Sequence, residues 1–458
     1  MNSCDTFVLT PEFNVYGCNV LSKNSDRPIG EAQPLLYTPA QDFGDNSSLK
    51  CTYIEVPQVQ HTYATIGSRP YWMWGFEMGV NEKAVFIANE AQGSRIAEQG
   101  DENELLGMDL LRLGLERAAS AEGAVDVISA LLERYGQNAN ASQLFDRRYE
   151  NSFFIADPNE IWLLETAGRR WIARRVTEKA AISNCYTIEG EYDKASTNID
   201  KYARDSGFLA EGEAFNFAKA YTAPAMRQTI ALPRWRRMKK LISEHRQYRL
   251  SDIRNILRDH YEGEIIAPRD GWGAGYGMMA SICMHAMTWD SSQTTASMIA
   301  RYDADLGVVV RYAPSIPCCS LYLPVYMTGY IPRCMSVGDK SYDGQSLWWR
   351  FERLAIAVSA DYESNHRHLT EARDHAERII EQEAAQAEAA AAQHVKKGEK
   401  SAANATLNMC MDKCVSVAED FIDDVYSKIS IPHDSNGNVS GYRKEFLSDY
   451  CRRTGMRL

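Results

Sequence analysis

The order of strand-like and helix-like segments is the sequence feature that most limits the fold. Short β-rich runs separated by turn residues extend from Thr6 to about Ile87, and residues 104–136 then show helical spacing. Strand-like runs return at residues 152–176, 279–285, 297–301 and 308–312. Because the strands are grouped and do not alternate with helices, the pattern favours an α+β layered fold over parallel βαβ units.

Two segments predict antiparallel strands joined by short turns. The strand-like residues 6–9 and 17–21 flank a turn, which indicates an N-terminal hairpin. Residues 152–176 contain three strand-like runs separated by turns at Pro158 and Gly168. This second segment therefore predicts an antiparallel meander.

Two other regions carry the composition or the spacing of helices. Between residues 104 and 136, Leu106, Leu110 and Leu113 form one apolar stripe, and a second stripe follows after a short break. Residues 361–429 are rich in Ala, Glu, Gln and Lys. This composition predicts a long helical hairpin that is exposed or contacts a partner.

The length of the chain bears on its domain organisation. Its 458 residues exceed the usual size of one compact domain. We predict a removable propeptide at residues 1–3, a catalytic domain at residues 4–345 and a mainly helical extension at residues 346–458. The polar helical hairpin is the surface through which we expect any homo-oligomer to form.

Charge and cysteine content exclude several classes of function. The 50 basic and 61 acidic residues give a net charge of -11, which argues against a nucleic-acid partner. The sequence has no basic start followed by an apolar run and no long apolar stretch. We therefore predict neither a leader nor a membrane segment. The 11 cysteines lack paired spacing and indicate reduced thiols in a cytoplasmic protein.

The candidate nucleophile is Cys4, which is followed at a distance by the polar segment at residues 22–28. A cysteine at a mature N-terminus combines nucleophile and general base, because its α-amine has a pKa of about 8 and lies near its own thiol. A Cys-His-Asn hydrolase would instead need one of the nine histidines, and none falls in a recognisable signature. We expect His285 to be a strand residue.

Several motifs, in order, resemble those of the secernin and dipeptidase family of cysteine N-terminal-nucleophile hydrolases. The first four are Cys4-Asp5-Thr6-Phe7-Val8, Lys23-Asn24-Ser25-Asp26-Arg27-Pro28, Arg69-Pro70-Tyr71-Trp72-Met73-Trp74-Gly75 and Gly79-Val80-Asn81-Glu82. Further matches are Asn151-Ser152-Phe153, Leu164-Glu165-Thr166, Ile182-Ser183-Asn184 and Ser281-Ile282-Cys283-Met284-His285. The resemblance implies a four-layer αββα sandwich and cleavage of an amide, with dipeptides as the substrate class.

The same resemblance implies roles for three residues of the first two motifs. Cys4 would be the nucleophile and its freed amine the base, while Asp26 would hold that amine by hydrogen bonding. Lys23 stands where related bile-salt and penicillin amidases have arginine. A lysine supplies positive charge for the thiolate but lacks the planar fork of arginine. A plain salt bridge between Lys23 and Asp26 is the structural alternative.

Three further polar residues are candidates for the site. Asn89 is the expected oxyanion donor, and Asn184 is expected as a second polar contact at the acyl carbonyl. Hydrogen bonding at turns or strand ends is the alternative for both asparagines. Arg234 resembles an arginine that closes the site in the related amidases, although several neighbouring arginines compete for the alignment.

Two other patterns are weak signals of a cofactor or a metal. The glycine-rich residues 271–277 lack the strand-turn-helix setting of a dinucleotide site and predict a flexible loop beside the substrate cleft. The pairs Cys410/Cys414 and His366/His368 lack the companion ligands of a zinc site. We therefore predict no cofactor and no metal.

Three functions are compatible with the sequence. The first is hydrolysis of small peptides or acyl amides through a Cys4 thioester, and the second is transfer of the same acyl group to an amine. The third is a non-catalytic, secernin-like regulatory role. Catalysis requires removal of Met1-Asn2-Ser3, because loss of the methionine alone leaves Cys4 with an amide nitrogen.

Overall fold

The strands of the protein form two large antiparallel sheets. The computed structural model describes residues 4–96, 103–228, 230–265, 267, 281–286, 288–289, 291–435, 440 and 444–458. The strands are β1 (Asp5–Leu9), β2 (Val20–Pro28), β3 (Leu35–Thr38), β4 (Gln41–Asp42), β5 (Ser48–Lys50), β6 (Glu55–Pro57), β7 (His61–Thr62), β8 (Thr65–Ser68), β9 (Met78–Asn81), β10 (Phe86–Gln92), β11 (Glu150–Ala156), β12 (Ile161–Ala167), β13 (Arg170–Arg175), β14 (Ala180–Ile182), β15 (Lys194–Ala195), β16 (Ser292–Asp303), β17 (Gly307–Pro314) and β18 (Leu323–Tyr326).

The helices lie between and after the strand groups. They are α1 (Gly107–Arg117), α2 (Ala121–Tyr135), α3 (Ile199–Asp205), α4 (Phe217–Tyr221), α5 (Ala231–Leu241), α6 (Leu250–Leu257), α7 (Arg333–Ser336), α8 (Leu347–Val358), α9 (Tyr362–Lys396), α10 (Lys400–Lys428) and α11 (Lys444–Thr454). Among the described helices, none contains an apolar stretch of the length that a membrane span requires.

The two large sheets have different strand orders. Sheet I runs β14-β1-β2-β16-β17-β18, and sheet II runs β15-β13-β12-β11-β10-β9-β8-β3. The remaining short strands pair as β4-β7 and β5-β6. The predicted N-terminal hairpin is confirmed, because β1 and β2 pair antiparallel, and the meander is confirmed by the successive pairs β11-β12 and β12-β13.

Strand alternation divides the apolar side chains among separate cores. Val8 and Leu21 of sheet I join Phe86 and Ala88 of sheet II in the core between the sheets. The opposite face of sheet II packs under α1 and α2, and the opposite face of sheet I packs under α5 and α6. The four layers are therefore helix, sheet, sheet and helix, which confirms the predicted αββα sandwich.

One predicted strand is wrong. The described part of the expected strand at 279–285, residues 281–285, forms bends and irregular backbone, as does residue 286. The backbone amide of Cys283 donates to the carbonyl of Asp259, and that of Met284 donates to the hydroxyl of Thr294, so no ladder forms. The alternating apolar residues that suggested a strand instead place Ile282 under α5 and α6. The glycine-rich run at 271–277 lies outside the described residues.

The helical hairpin of α9 and α10 packs back onto the body of the protein. Leu407, Met411 and Cys414 of α10 belong to the largest apolar core, on the side of β18. On α9, Glu377 pairs with Arg258 at 2.6 Å, and Glu388 pairs with two arginines of sheet I, Arg301 and Arg311. One face of the hairpin is thus used within the chain, and its other face is exposed.

Candidate active site

Cys4 lies immediately before β1, at the start of sheet I. The register of β1 and β14 pairs Thr6 with Ile182, and its extension by two residues brings Cys4 opposite Asn184. The backbone nitrogen of Cys4 donates to Asn184 Oδ1 at 2.9 Å. The Cys4 residue is only 4% exposed, so its nitrogen and sulfur occupy fixed positions inside the protein.

Asp26 approaches Cys4 through its backbone and holds its carboxylate among other polar groups. Its backbone N–H donates to Cys4 Sγ at 3.2 Å. Oδ1 accepts a hydrogen bond from Thr294 Oγ1 at 2.6 Å, next to a β-bulge that separates Thr294 from Ala296. Oδ2 lies 3.9 Å from Arg234 and has no hydrogen-bond partner among the described residues. Burial raises the pKa of Asp26 well above its ordinary value, and Arg234 opposes that rise.

Lys23 does not pair with Asp26, which was the structural alternative for this lysine. The two side chains leave opposite faces of β2, because their positions differ by an odd number of residues. Lys23 Nζ forms an ion pair with Glu77 Oε2 at 3.2 Å and donates to Asn89 Oδ1 at 2.8 Å. The alternative of a salt bridge to Asp26 is therefore wrong, because Glu77 is the carboxylate paired with Lys23.

Asn89 is not directed at Cys4 in this structure. The residues of β10 alternate between the two cores, and Glu90 is the one whose carboxylate accepts from Thr6 of sheet I. Asn89 Nδ2 donates to Asn151 Oδ1 at 3.0 Å and contacts the sulfur of Met108 at 3.4 Å. The amide hydrogens are thus engaged on the α1 side of sheet II, and the expected oxyanion role of Asn89 has no support from this geometry.

Arg234, on α5, lies beside the nucleophile as the resemblance implied. Its guanidinium donates to Asp5 Oδ2 at 2.6 Å, to Asn184 Oδ1 at 2.7 Å and to the Cys4 carbonyl at 3.4 Å. Arg234 is 1% exposed. Burial raises the pKa of Asp5 to about 6, and Arg234 is the charge that most opposes this rise. The arginine holds the backbone and the first carboxylate of the site in place.

Asn184 presents its oxygen, rather than its nitrogen, to Cys4. Oδ1 accepts from both Cys4 N and Arg234 Nη2, and both of those groups are donors, so the amide orientation is determined. Nδ2 donates to the carbonyl of Ala91 at 2.8 Å. Asn184 is therefore placed to position the nitrogen of Cys4, which differs from the expected contact at an acyl carbonyl.

The charges around Cys4 act on its thiol in opposite directions. Burial raises the pKa of the Cys4 thiol well above its ordinary value, and the charge of Lys23 opposes this rise. Glu90 and Glu77 raise the pKa of Cys4 further. A neutral thiol is therefore favoured in the chain that still carries residues 1–3, and Lys23 is the group that favours the thiolate.

Three buried acids of the site were missed from the sequence. Asp5 follows the nucleophile directly, Glu90 follows Asn89, and Glu77 lies two residues after the third motif. Glu77 is shared between Lys23 and Arg27, which lies 3.3 Å from it. Period-two alternation along β10 was the available signal for Glu90, whereas nothing in the local sequence indicated the pairing of Glu77.

Comparison with known proteins links the chain to a family of peptidases. The model of peptidase family C69 matches residues 58–375. A dipeptidase of Bifidobacterium longum (strain NCC 2705) is 28% identical over 207 residues, which are 40% of this chain and 36% of that protein. A probable dipeptidase A of Streptococcus pyogenes serotype M18 (strain MGAS8232) is 27% identical over 197 residues, which are 40% of this chain and 39% of that protein. The matches thus span less than half of these relatives.

Two solved structures are similar to this chain at low sequence identity. A mutant conjugated bile acid hydrolase from Clostridium perfringens has a TM-score of 0.40 and 11% identity, and the match covers 73% of this chain and 95% of that one. Penicillin V acylase from Agrobacterium tumefaciens has a TM-score of 0.38 and 12% identity, with 71% and 86% covered.

Proposed function

Because the chain belongs to peptidase family C69, we propose that it cleaves the amide bond of small peptides through a thioester on Cys4. The observation that carries the proposal is the setting of Cys4: its nitrogen faces Asn184, and its sulfur faces the backbone amide of Asp26. The charge of Lys23 acts on the same sulfur. Dipeptides are the proposed substrate class, since both relatives described above are named as dipeptidases.

The proposed reaction uses the nitrogen and the sulfur of the same residue. The freed α-amine of Cys4 takes the thiol proton as the sulfur attacks the peptide carbonyl and forms a C–S bond. The ammonium then protonates the leaving nitrogen as the C–N bond breaks. Water, activated by the same amine, hydrolyses the thioester to a free acid and regenerates the thiol.

Asp26, Asn184 and Arg234 would hold the amine in place during this cycle. Asn184 Oδ1 already accepts from Cys4 N, and Arg234 determines the orientation of that oxygen. Asp26 Oδ2 is a buried acceptor with no hydrogen-bond partner among the described residues. A cationic amine at Cys4 would supply the hydrogen-bond donor that this oxygen lacks and would add its positive charge to that of Arg234.

Removal of Met1-Asn2-Ser3 is part of the proposal. While Ser3 is attached, the nitrogen of Cys4 is an amide and has no basic lone pair. The mature enzyme would therefore begin at Cys4. We place it in the cytoplasm, a location supported by its 11 free cysteines.

The test combines intact mass with hydrolysis of a dipeptide panel. We expect the purified protein to lack residues 1–3 and to release free amino acids, and Cys4→Ala to abolish the release. Cys18→Ala is the matched control, because Cys18 lies in the same hairpin outside the site and should leave the rate unchanged. Dipeptide release by the Cys4→Ala protein would contradict the proposal. Addition of a competing amine separates hydrolysis from acyl transfer by product mass.

A further inference from the structure

Two histidines and two cysteines meet on the helix side of sheet I, outside the site described above. His260 follows α6, Cys283 and His285 lie in the irregular segment at 281–286, and Cys318 follows β17. One ligand atom of each lies within 4.8 Å of all the others. We propose that these four side chains bind one zinc ion.

The distances within this Cys2His2 cluster agree with tetrahedral coordination. His260 Nε2 lies 3.1 Å from His285 Nε2, which in turn lies 3.7 Å from Cys283 Sγ and 3.3 Å from Cys318 Sγ. In a tetrahedral zinc site, bond lengths of about 2.0 Å to nitrogen and 2.3 Å to sulfur separate two nitrogens by about 3.3 Å, and a nitrogen from a sulfur by about 3.5 Å. Small side-chain movements would complete such a site.

The donor set and its surroundings favour zinc over a hard cation. Two thiols and two imidazoles are soft or intermediate ligands, whereas magnesium and calcium prefer oxygen. His260 Nδ1 lies 3.0 Å from Glu262 Oε1, so the carboxylate can hold the Nδ1 proton while Nε2 faces His285 within the cluster. Cys283, His285 and Cys318 are each no more than 5% exposed. Four protein ligands in a buried setting are typical of structural zinc.

The cluster has an access route from solvent. His260 and Cys318 line a cavity of about 450 Å³ that also contains His366. Metal binding requires entry of the ion and release of the thiol protons, and this cavity provides a path for both. The pairs His366/His368 and Cys410/Cys414, which the sequence drew attention to, are not members of the cluster.

The cluster is connected to the candidate active site through Met284 and Thr294. Met284 lies between two proposed ligands, and its backbone exchanges hydrogen bonds with Thr294: the Met284 amide donates to Thr294 Oγ1, and the Thr294 amide donates to the Met284 carbonyl. Thr294 Oγ1 in turn donates to Asp26 Oδ1. A bound zinc ion would thus fix the segment that positions Asp26. Zinc binding can be measured without any substrate.

The first experiment is metal analysis of the full-length protein, purified under reducing conditions without chelator. We expect about one zinc ion per chain. Replacement by Co(II) should give the visible and near-ultraviolet absorption of a tetrahedral thiolate site, and X-ray absorption at the zinc edge should show two sulfur and two nitrogen neighbours. These two measurements use the wild-type chain and do not depend on the folding of a variant.

Cysteine variants then assign the ligands. Cys283→Ser and Cys318→Ser should lose most of the metal, whereas Cys319→Ser is the matched control and should keep it, because Cys319 is an equally buried neighbour outside the set of four ligands. Three results would overturn the proposal. They are a folded protein that takes up no Zn(II) or Co(II), zinc retained in the Cys283→Ser/Cys318→Ser double variant, and a Cys283–Cys318 disulfide in its place.

Discussion

Replacement of Arg234 by methionine would remove a buried cation from between two buried carboxylates. The guanidinium lies 2.6 Å from Asp5 Oδ2 and 3.9 Å from Asp26 Oδ2, and all three side chains are 1% exposed or less. Removing one partner of a buried ion pair costs about 3 to 5 kcal/mol, because the remaining charge is uncompensated. We expect the free energy of unfolding of Arg234→Met to fall by this amount at pH 8.

The loss should be smaller in mild acid. In the wild-type chain, the pKa of Asp5 is raised from 3.8 to about 6. The contribution of such a carboxyl to stability is fully present below its unfolded pKa and is lost as the pH rises through its folded pKa. Loss of Arg234 raises the folded pKa of Asp5 further, so the decline continues above pH 6 at about 1.4 kcal/mol per pH unit. The deficit of the variant should thus be larger at pH 8 than at pH 6, by up to about 3 kcal/mol.

Urea unfolding at the two pH values measures both quantities. Arg236→Met is the matched control, because Arg236 lies on the same helix and is exposed. It should change the free energy of unfolding by no more than about 0.5 kcal/mol at either pH. A loss of stability in Arg234→Met that equals the loss in the control, or that is the same at pH 6 and pH 8, would contradict the pairing of Arg234 with buried, ionised Asp5.

Three further predictions concern single side chains. Lys23→Met removes the charge that most lowers the pKa of the Cys4 thiol, so alkylation of Cys4, followed by mass spectrometry, should require a higher pH than in the wild type; an unchanged profile would contradict the role of Lys23. Burial raises the pKa of Glu165 from 4.5 to about 7. This carboxyl therefore reduces stability by about 3 kcal/mol as the pH rises from 4.5 to 7, and Glu165→Gln should remove that dependence in urea unfolding, whereas an unaltered slope would contradict it. Asp26→Asn keeps the volume of the side chain but not its charge, and should lower kcat on dipeptides by about a hundredfold with little loss of stability; retained kcat would contradict it.

The layers of the fold were predictable from the sequence because periodicity reports burial directly. The hairpin of β1 and β2 and the pair α1 and α2 each carry apolar residues at the spacing of the element they form. The segment at 281–286 misled because Ile282 and Met284 alternate with less apolar residues as in a strand. Its backbone bonds go to a hydroxyl and to a loop carbonyl, and such tertiary partners leave no local pattern.

The sequence indicated which residues lie in the candidate site better than it indicated which side chains they pair with. Direct contacts join four of the residues that the sequence indicated for the site, namely Cys4, Asp26, Asn184 and Arg234. Strand alternation along β2 would have separated Lys23 from Asp26 without a structure. Pairings between distant segments could not be derived, because they depend on how the two sheets are stacked.

The intact mass of the freshly purified protein shows whether Cys4 is the N-terminal residue. We expect a chain that has lost Met1-Asn2-Ser3 and begins at Cys4, so that the nitrogen of Cys4 can act as a base. A full-length chain that nevertheless hydrolyses dipeptides would contradict the assignment of that nitrogen. A full-length chain without hydrolysis, under conditions in which it is folded, would contradict the proposed enzyme itself.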